Sequence, residues 1–186
     1  MLKNSKEISR LKNEWKKNWK KGIVDIFIFG SAAKGKKFPN DIDICLIFRE
    51  KADLSIIKKV GAILGERHHI SSLTADNFFI DAHSLAKTIL LEGISIISGR
   101  KFSDAFSLEA KILYSYDLSK EESSKKVRFV YLLRGRAKSE GLVKNWNGEF
   151  ISNSAFTVPI GRDSDVQEVL SSWKIKYRRV KIMLMR

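Results

Sequence analysis

Four residues within FIFGSAAKGKKFPNDIDICLIF, the stretch from Phe27 to Phe48, have types and spacing suited to chemistry: Gly30, Ser31, Asp41 and Asp43. Side chains alternate faces along a strand, so carboxylates at positions i and i+2 point the same way. Like charges held side by side repel, and the arrangement persists most easily with a cation between them. Upstream, a Gly-Ser pair directly after an apolar run lets backbone approach a phosphate, which amide N–H groups and a hydroxyl then hold. Alone, the Gly-Ser pair reads as an ordinary turn, and the Asp-x-Asp as a turn plus a cap. Their conjunction points to metal-dependent phosphoryl chemistry. Lys34, Lys36 and Lys37 lie in the intervening loop, where they screen phosphate charge or are simply solvated.

The elements that must position these residues follow from periodicity. Ile8, Leu11, Trp15 and Trp19 recur at helical spacing, with Gly22 as a stop. Ile23 to Phe29 and Asp41 to Phe48 read as buried strands, with a short helix beginning at Ala32 and Ala33. Asp53 or Ser55 caps a helix through Leu64. His68 to Thr74 is a third strand, Ala75 to Glu92 a helix, and Ile94 to Ile97 a short strand. Adjacent histidines on a strand face opposite ways, so His68 and His69 make a poor chelating pair and read as structural.

Past residue 105 the character changes. Ser119 with Glu122 has the form of a capping box for a helix through Leu133. Asn147-Gly148 signals a hairpin between two strands within Gly141 to Ile160. Asp163 or Ser164 caps a helix through Trp173, and Lys174 to Leu184 reads as a final strand. The expected domains are 1–105 and 106–186.

Thirty-five Lys and Arg against 21 Asp and Glu leave a formal charge of +14, which suits polyanionic partners such as RNA or DNA or a nucleotide substrate. A lysine-rich surface serving only solubility is the bland alternative. No apolar run approaches membrane-spanning length, and the start does not resemble a signal peptide. The one cysteine, Cys45, lies in an apolar strand, so no intrachain disulfide forms, which suits the cytoplasm.

On the Gly30-Ser31 turn, the Ala33 and Gly35 loop positions, the Asp41-x-Asp43 pair and the later LLEGISIISG passage, residues of about 5–105 resemble the DNA polymerase β-like nucleotidyltransferase superfamily, in its minimal branch. The resemblance implies an α/β (α+β) fold, a mixed sheet flanked by helices, followed here by a smaller C-terminal α+β unit. It implies Asp41 and Asp43 as catalytic, metal-holding residues for Mg²⁺ or Mn²⁺, with Gly30, Ser31 and Lys34 on an NTP such as ATP. The reaction it implies moves a nucleoside monophosphate onto a hydroxyl of a nucleic acid or protein. One departure stands out. The family's third carboxylate aligns with Ser71; Asp76 beyond that strand is a substitute candidate, and Glu66 precedes it. A non-catalytic module of the same fold, binding nucleotide or nucleic acid beside a partner protein, is therefore the rival expectation.

Overall fold

The computed structural model describes residues 6–34, 41–66, 68–80, 84–137 and 139–185. Gly35, Lys36, Lys37 and Asn40, part of the expected phosphate loop, lie outside the described residues. The chain divides into two compact units, Met1–Leu108 and Glu109–Arg186.

In the first unit, α1 (Lys6–Glu14) runs into a π-helical turn, Trp15–Trp19, and buries Ile8, Leu11 and Trp19. The Trp15 indole Nε1 donates to the Ile23 carbonyl at 3.1 Å, and Gly22 N–H closes on Trp19 O, so the helix stops where its apolar stripe ends. β1 (Ile23–Phe29) leads directly into α2 (Gly30–Ala33), and β2 (Ile42–Phe48) returns antiparallel. Asp53 Oδ1 accepts from Ser55 N–H at 2.8 Å and so caps α3 (Leu54–Leu64). β3 (His68–Thr74) lies parallel to β2. α4 (Ala75–Phe79), α5 (Ser84–Glu92) and β4 (Ile94–Ser95) complete the unit.

The sheet order is β3-β2-β1-β4, a mixed sheet flanked by helices. Its two faces sort by strand parity. Ile44, Leu46 and Phe48 pack with Ile26, Ile28 and the residues of α1 and α3. Phe27, Cys45 and Ile47 pack with Phe78, Ala86 and Ile89 from α4 and α5. Phe27 clusters with the rings of Phe78 and Phe102, at centroid distances of 6.3 and 5.1 Å, and those two rings also touch each other. Burial pushes the Cys45 thiol up to about 12, so it is inert core.

Two expectations change here. The helix expected over Ala75 to Glu92 is two helices, because Thr74 caps one and Ser84 begins another. The strand expected over Ile94 to Ile97 is shorter: Ile94 and Ser95 pair with β1, Ile96 N–H still donates to Ile26 O, and the chain then turns back so that Gly99 N–H reaches Ser95 O.

The second unit holds a sheet ordered β10-β5-β9-β8, from β5 (Leu108–Asp117), β8 (Glu149–Ser152), β9 (Ala155–Pro159) and β10 (Lys176–Met185). With it come α6 (Ser123–Arg134), the small β6–β7 ladder (Gly135–Arg136, Ser139–Glu140), α7 (Leu142–Asn145) and α8 (Asp163–Ser172). Ser119 is not a helix cap: its N–H is held by Asp117 Oδ1 in a turn, and α6 starts at Ser123. Asn147-Gly148 is not the hairpin turn either. Asn147 takes a positive φ of 56° to end α7, and β8 and β9 turn instead at Asn153 and Ser154.

Inside β1, Asp25 is partly buried, accepting from Ser95 Oγ at 2.9 Å and from Ile26 N–H at 2.7 Å. Desolvation raises its carboxyl above the ordinary 3.8, against those hydrogen bonds. The folded state therefore keeps the proton to higher pH than the unfolded chain does. The associated stability is fully present below 3.8 and is lost as pH climbs through the folded value. Urea denaturation of Asp25→Asn, which keeps an acceptor oxygen, is expected to show a shallower decline of stability from acid towards neutral pH than the parent; identical slopes would refute this.

Candidate active site

β1 and β2 pair so that Phe29 stands opposite Asp43. Gly30, the next residue, turns the chain into α2 with φ of +70°, a conformation that side chains disfavour. A Cβ built at Gly30 would overlap the Asp43 carboxylate at Oδ2. Glycine is thus required twice over, for its backbone angle and for the close approach of the acid. Ser31 follows in the first turn of α2 and is half-buried. The structure therefore brings Gly30, Ser31 and Asp43 together, while exposed Asp41 lies one residue before β2.

The parallel β2–β3 register sets the third position. Ser71 pairs with Cys45, two residues deeper, whereas His69 pairs with Asp43. His69 Nδ1 lies 3.8 Å from Asp43 Oδ1, and the imidazole is largely exposed. Asp76 follows the other end of β3, after Thr74 opposite Phe48, with about 16 Å of extended strand between Thr74 and His69. It does not complete the acid cluster. His68 faces away from His69, its Nε2 near Gly61 of α3, as opposite-facing neighbours must. His69 was missed as a site residue because only the strand register, absent from any local pattern, places it beside Asp43.

Lys34 reaches a different partner from the one expected. Its Nζ lies 2.9 Å from Glu92 Oε2, whose side chain is only 7% exposed. The pairing is coulombic, since Glu92 Oε2 receives no well-aligned hydrogen bond. Glu92 ends α5, where the helix dipole disfavours an anion, so a cation there offsets both burial and dipole. The next residue, Gly93, has no room for a side chain: a Cβ would come within 2.5 Å of Ile89 O. The Leu-Glu-Gly passage thus has a physical content, tying α5 to the loop after α2 and delivering β4 to β1.

Residues 8–96 match the family model of the nucleotidyltransferase domain. The match supports a nucleotidyl transfer function in general, and the fold agrees with a polymerase β-like mixed sheet. No curated protein and no solved structure gives a significant match to the chain. No helix among the described residues is long and apolar enough to cross a membrane.

As to a divalent ion, no group of three or more His, Cys, Asp or Glu among the described residues is placed to hold one. Asp41 and Asp43 nevertheless offer hard oxygen donors, with no Lys or Arg ion pair to either among the described residues. Magnesium typically takes one or two protein carboxylates and completes its shell with water and substrate phosphate. The donor set fits an ion shared with a nucleotide, and not a cage built from protein alone.

Two variants test this geometry. Gly30→Ala is expected to cost about 1–3 kcal/mol in thermal or urea denaturation, and markedly less in an Asp43→Ala background, where the obstructing carboxylate is gone. Equal costs in both backgrounds would refute the close approach. Lys34→Met should cost about 2 kcal/mol of stability by leaving Glu92 without its counter-charge; weakened nucleotide binding at unchanged stability would instead return Lys34 to the phosphates.

Proposed function

We propose that the nucleotidyltransferase domain transfers a nucleoside monophosphate from an NTP, such as ATP, to an acceptor hydroxyl, with Asp41 and Asp43 as the catalytic carboxylates. The observation that carries the reading is Gly30 pressed against Asp43 inside the matched domain, a phosphate-compatible bend beside an acid that no Lys or Arg among the described residues neutralises. Gly30 and Ser31 would receive the nucleotide phosphates through backbone N–H groups and the hydroxyl. Asp41 and Asp43 would hold Mg²⁺ or Mn²⁺, which when bound neutralises triphosphate charge and lowers the acceptor hydroxyl's pKa. Orientation and charge stabilisation supply the rate, with no covalent step by the protein. The favoured acceptor is RNA or DNA, on the formal charge of +14, followed by a protein hydroxyl.

The absence of a three-donor cluster among the described residues favours one rival, a module of this fold that binds nucleotide or nucleic acid beside a partner protein without turnover. Labelled NTPs with Mg²⁺ or Mn²⁺, offered RNA, DNA and protein acceptors, separate the two. Incorporation is expected in the parent chain and should fall about a hundredfold or more in Asp41→Asn and Asp43→Asn with circular dichroism unchanged. Both variants should also lose Mn²⁺ uptake, followed by the electron paramagnetic resonance of the free ion. Turnover retained in both variants sinks the enzymatic reading, and nucleotide uptake without pyrophosphate release favours the rival.

A further inference from the structure

The second unit carries a cation and aromatic arrangement that the active site does not use. Along α6, Lys125, Arg128, Tyr131 and Arg134 recur every third residue and form a row that winds about halfway around the helix, over about 13 Å of its length, with Arg128, Tyr131 and Arg134 exposed. Arg134 is stacked on Phe150, its Cζ 3.9 Å from the ring centroid, and one guanidinium nitrogen donates to Ser152 O. Arg136 covers the ring of Tyr131 at 5.2 Å, and Tyr131 is 44% exposed. At the other end of the row, Lys125 and Arg128 join Ser172, Trp173 and Lys174 around an open cleft of about 470 Å³.

The pairing state of these cations matters more than their number. Lys125 is held by Glu121 at 2.6 Å. Arg128, Arg134 and Arg136 have no carboxylate partner among the described residues, unlike Arg179, which is bound to Asp163. A guanidinium attracted to a ring face keeps its full positive charge and has N–H groups suited to phosphate.

We propose that this row is a binding surface for single-stranded nucleic acid, deepening the proposed function by naming where the acceptor strand is held; it rests on that reading for the strand's role. The charge calls for a polyanion, and the aromatic and guanidinium faces call for one with exposed planar groups. A single strand offers both at once. A duplex hides its base faces, and an acidic peptide has none.

Fluorescence anisotropy of the full chain with a fluorescein-labelled oligouridylate, without NTP or divalent ion, tests this. The parent is expected to bind, more tightly than it binds a duplex of similar length or an oligoglutamate peptide. Arg134→Ala/Arg136→Ala and, separately, Tyr131→Ala should each weaken binding about tenfold. Lys16→Ala/Lys17→Ala, which removes the same charge as the arginine pair from an exposed part of the first unit, should change it less than about twofold. No binding by the parent, equal losses in the two double variants, or equal affinity for duplex or peptide would each overturn the proposal. Asp41→Asn/Asp43→Asn should bind the oligonucleotide like the parent. Failure of transfer by the parent with its binding intact therefore counts against the enzyme alone. Binding indifferent to the α6 row counts against this surface alone.

Discussion

The approach of Gly30 to the Asp43 carboxylate is the constraint on which the first unit is organised. It exists because β1 and β2 pair antiparallel with Phe29 opposite Asp43, so the residue leaving β1 arrives at the acid. Any side chain at position 30 would push the carboxylate aside, and any other register would present a different residue to the turn. The spacing of the candidate site is therefore a property of strand register. The buried residues Ile26, Ile28, Ile44 and Leu46 on one face, with Phe27, Cys45 and Ile47 on the other, hold that register. A slip by one residue would turn both apolar sets to the wrong sides.

A second constraint acts from the far end of the unit. Lys34 follows the Gly-Ser turn, and Glu92 ends the helix before β4. Their ion pair, with Gly93 admitting Ile89 backbone at close range, ties the Gly-Ser turn to the chain that closes the sheet beside β1. A lysine that looks like a phosphate ligand from its place in the loop thereby takes a structural task. Charge near a site is not charge available to the substrate, and burial of the partner decides which it is.

Much of the first unit was legible because its signals are local. β-Branched and aromatic content marks β1, Asp53 and Gly65 bracket α3, and the Ile/Leu/Trp stripe marks the opening helix. The approach of Gly30 to Asp43 was legible too, since a Gly turn between two strands and an acid near the start of the second are marked by residue type. What escaped depends on pairing between segments. His69 beside Asp43, Lys34 on Glu92 and the distance of Asp76 all follow from register and packing, which no short window encodes. The second unit was harder. Asn147-Gly148 has the composition of a hairpin turn, yet α7 uses the same positive-φ tolerance as a helix end, and only the surrounding contacts choose.

The same distinction governs the charge. Grouping Arg134, Arg136, Arg178, Arg179 and Lys181 as one phosphate surface treats every cation alike, but the fold does not. Arg179 donates to Asp163 through Nε and a terminal nitrogen, and Asp163 also accepts from the Tyr114 hydroxyl. Burial and the neighbouring Asp163 anion both raise the Tyr114 phenol, so it stays a neutral donor in this lock between β5, α8 and β10. Arg179 is thus committed to holding the second sheet to its helix. Arg134 and Arg136 lie over aromatic rings, contacts that carry no counter-charge, and neither has a carboxylate partner among the described residues. A formal charge of +14 overstates what a polyanion can use, and the usable part is the part that folding has left without an acid.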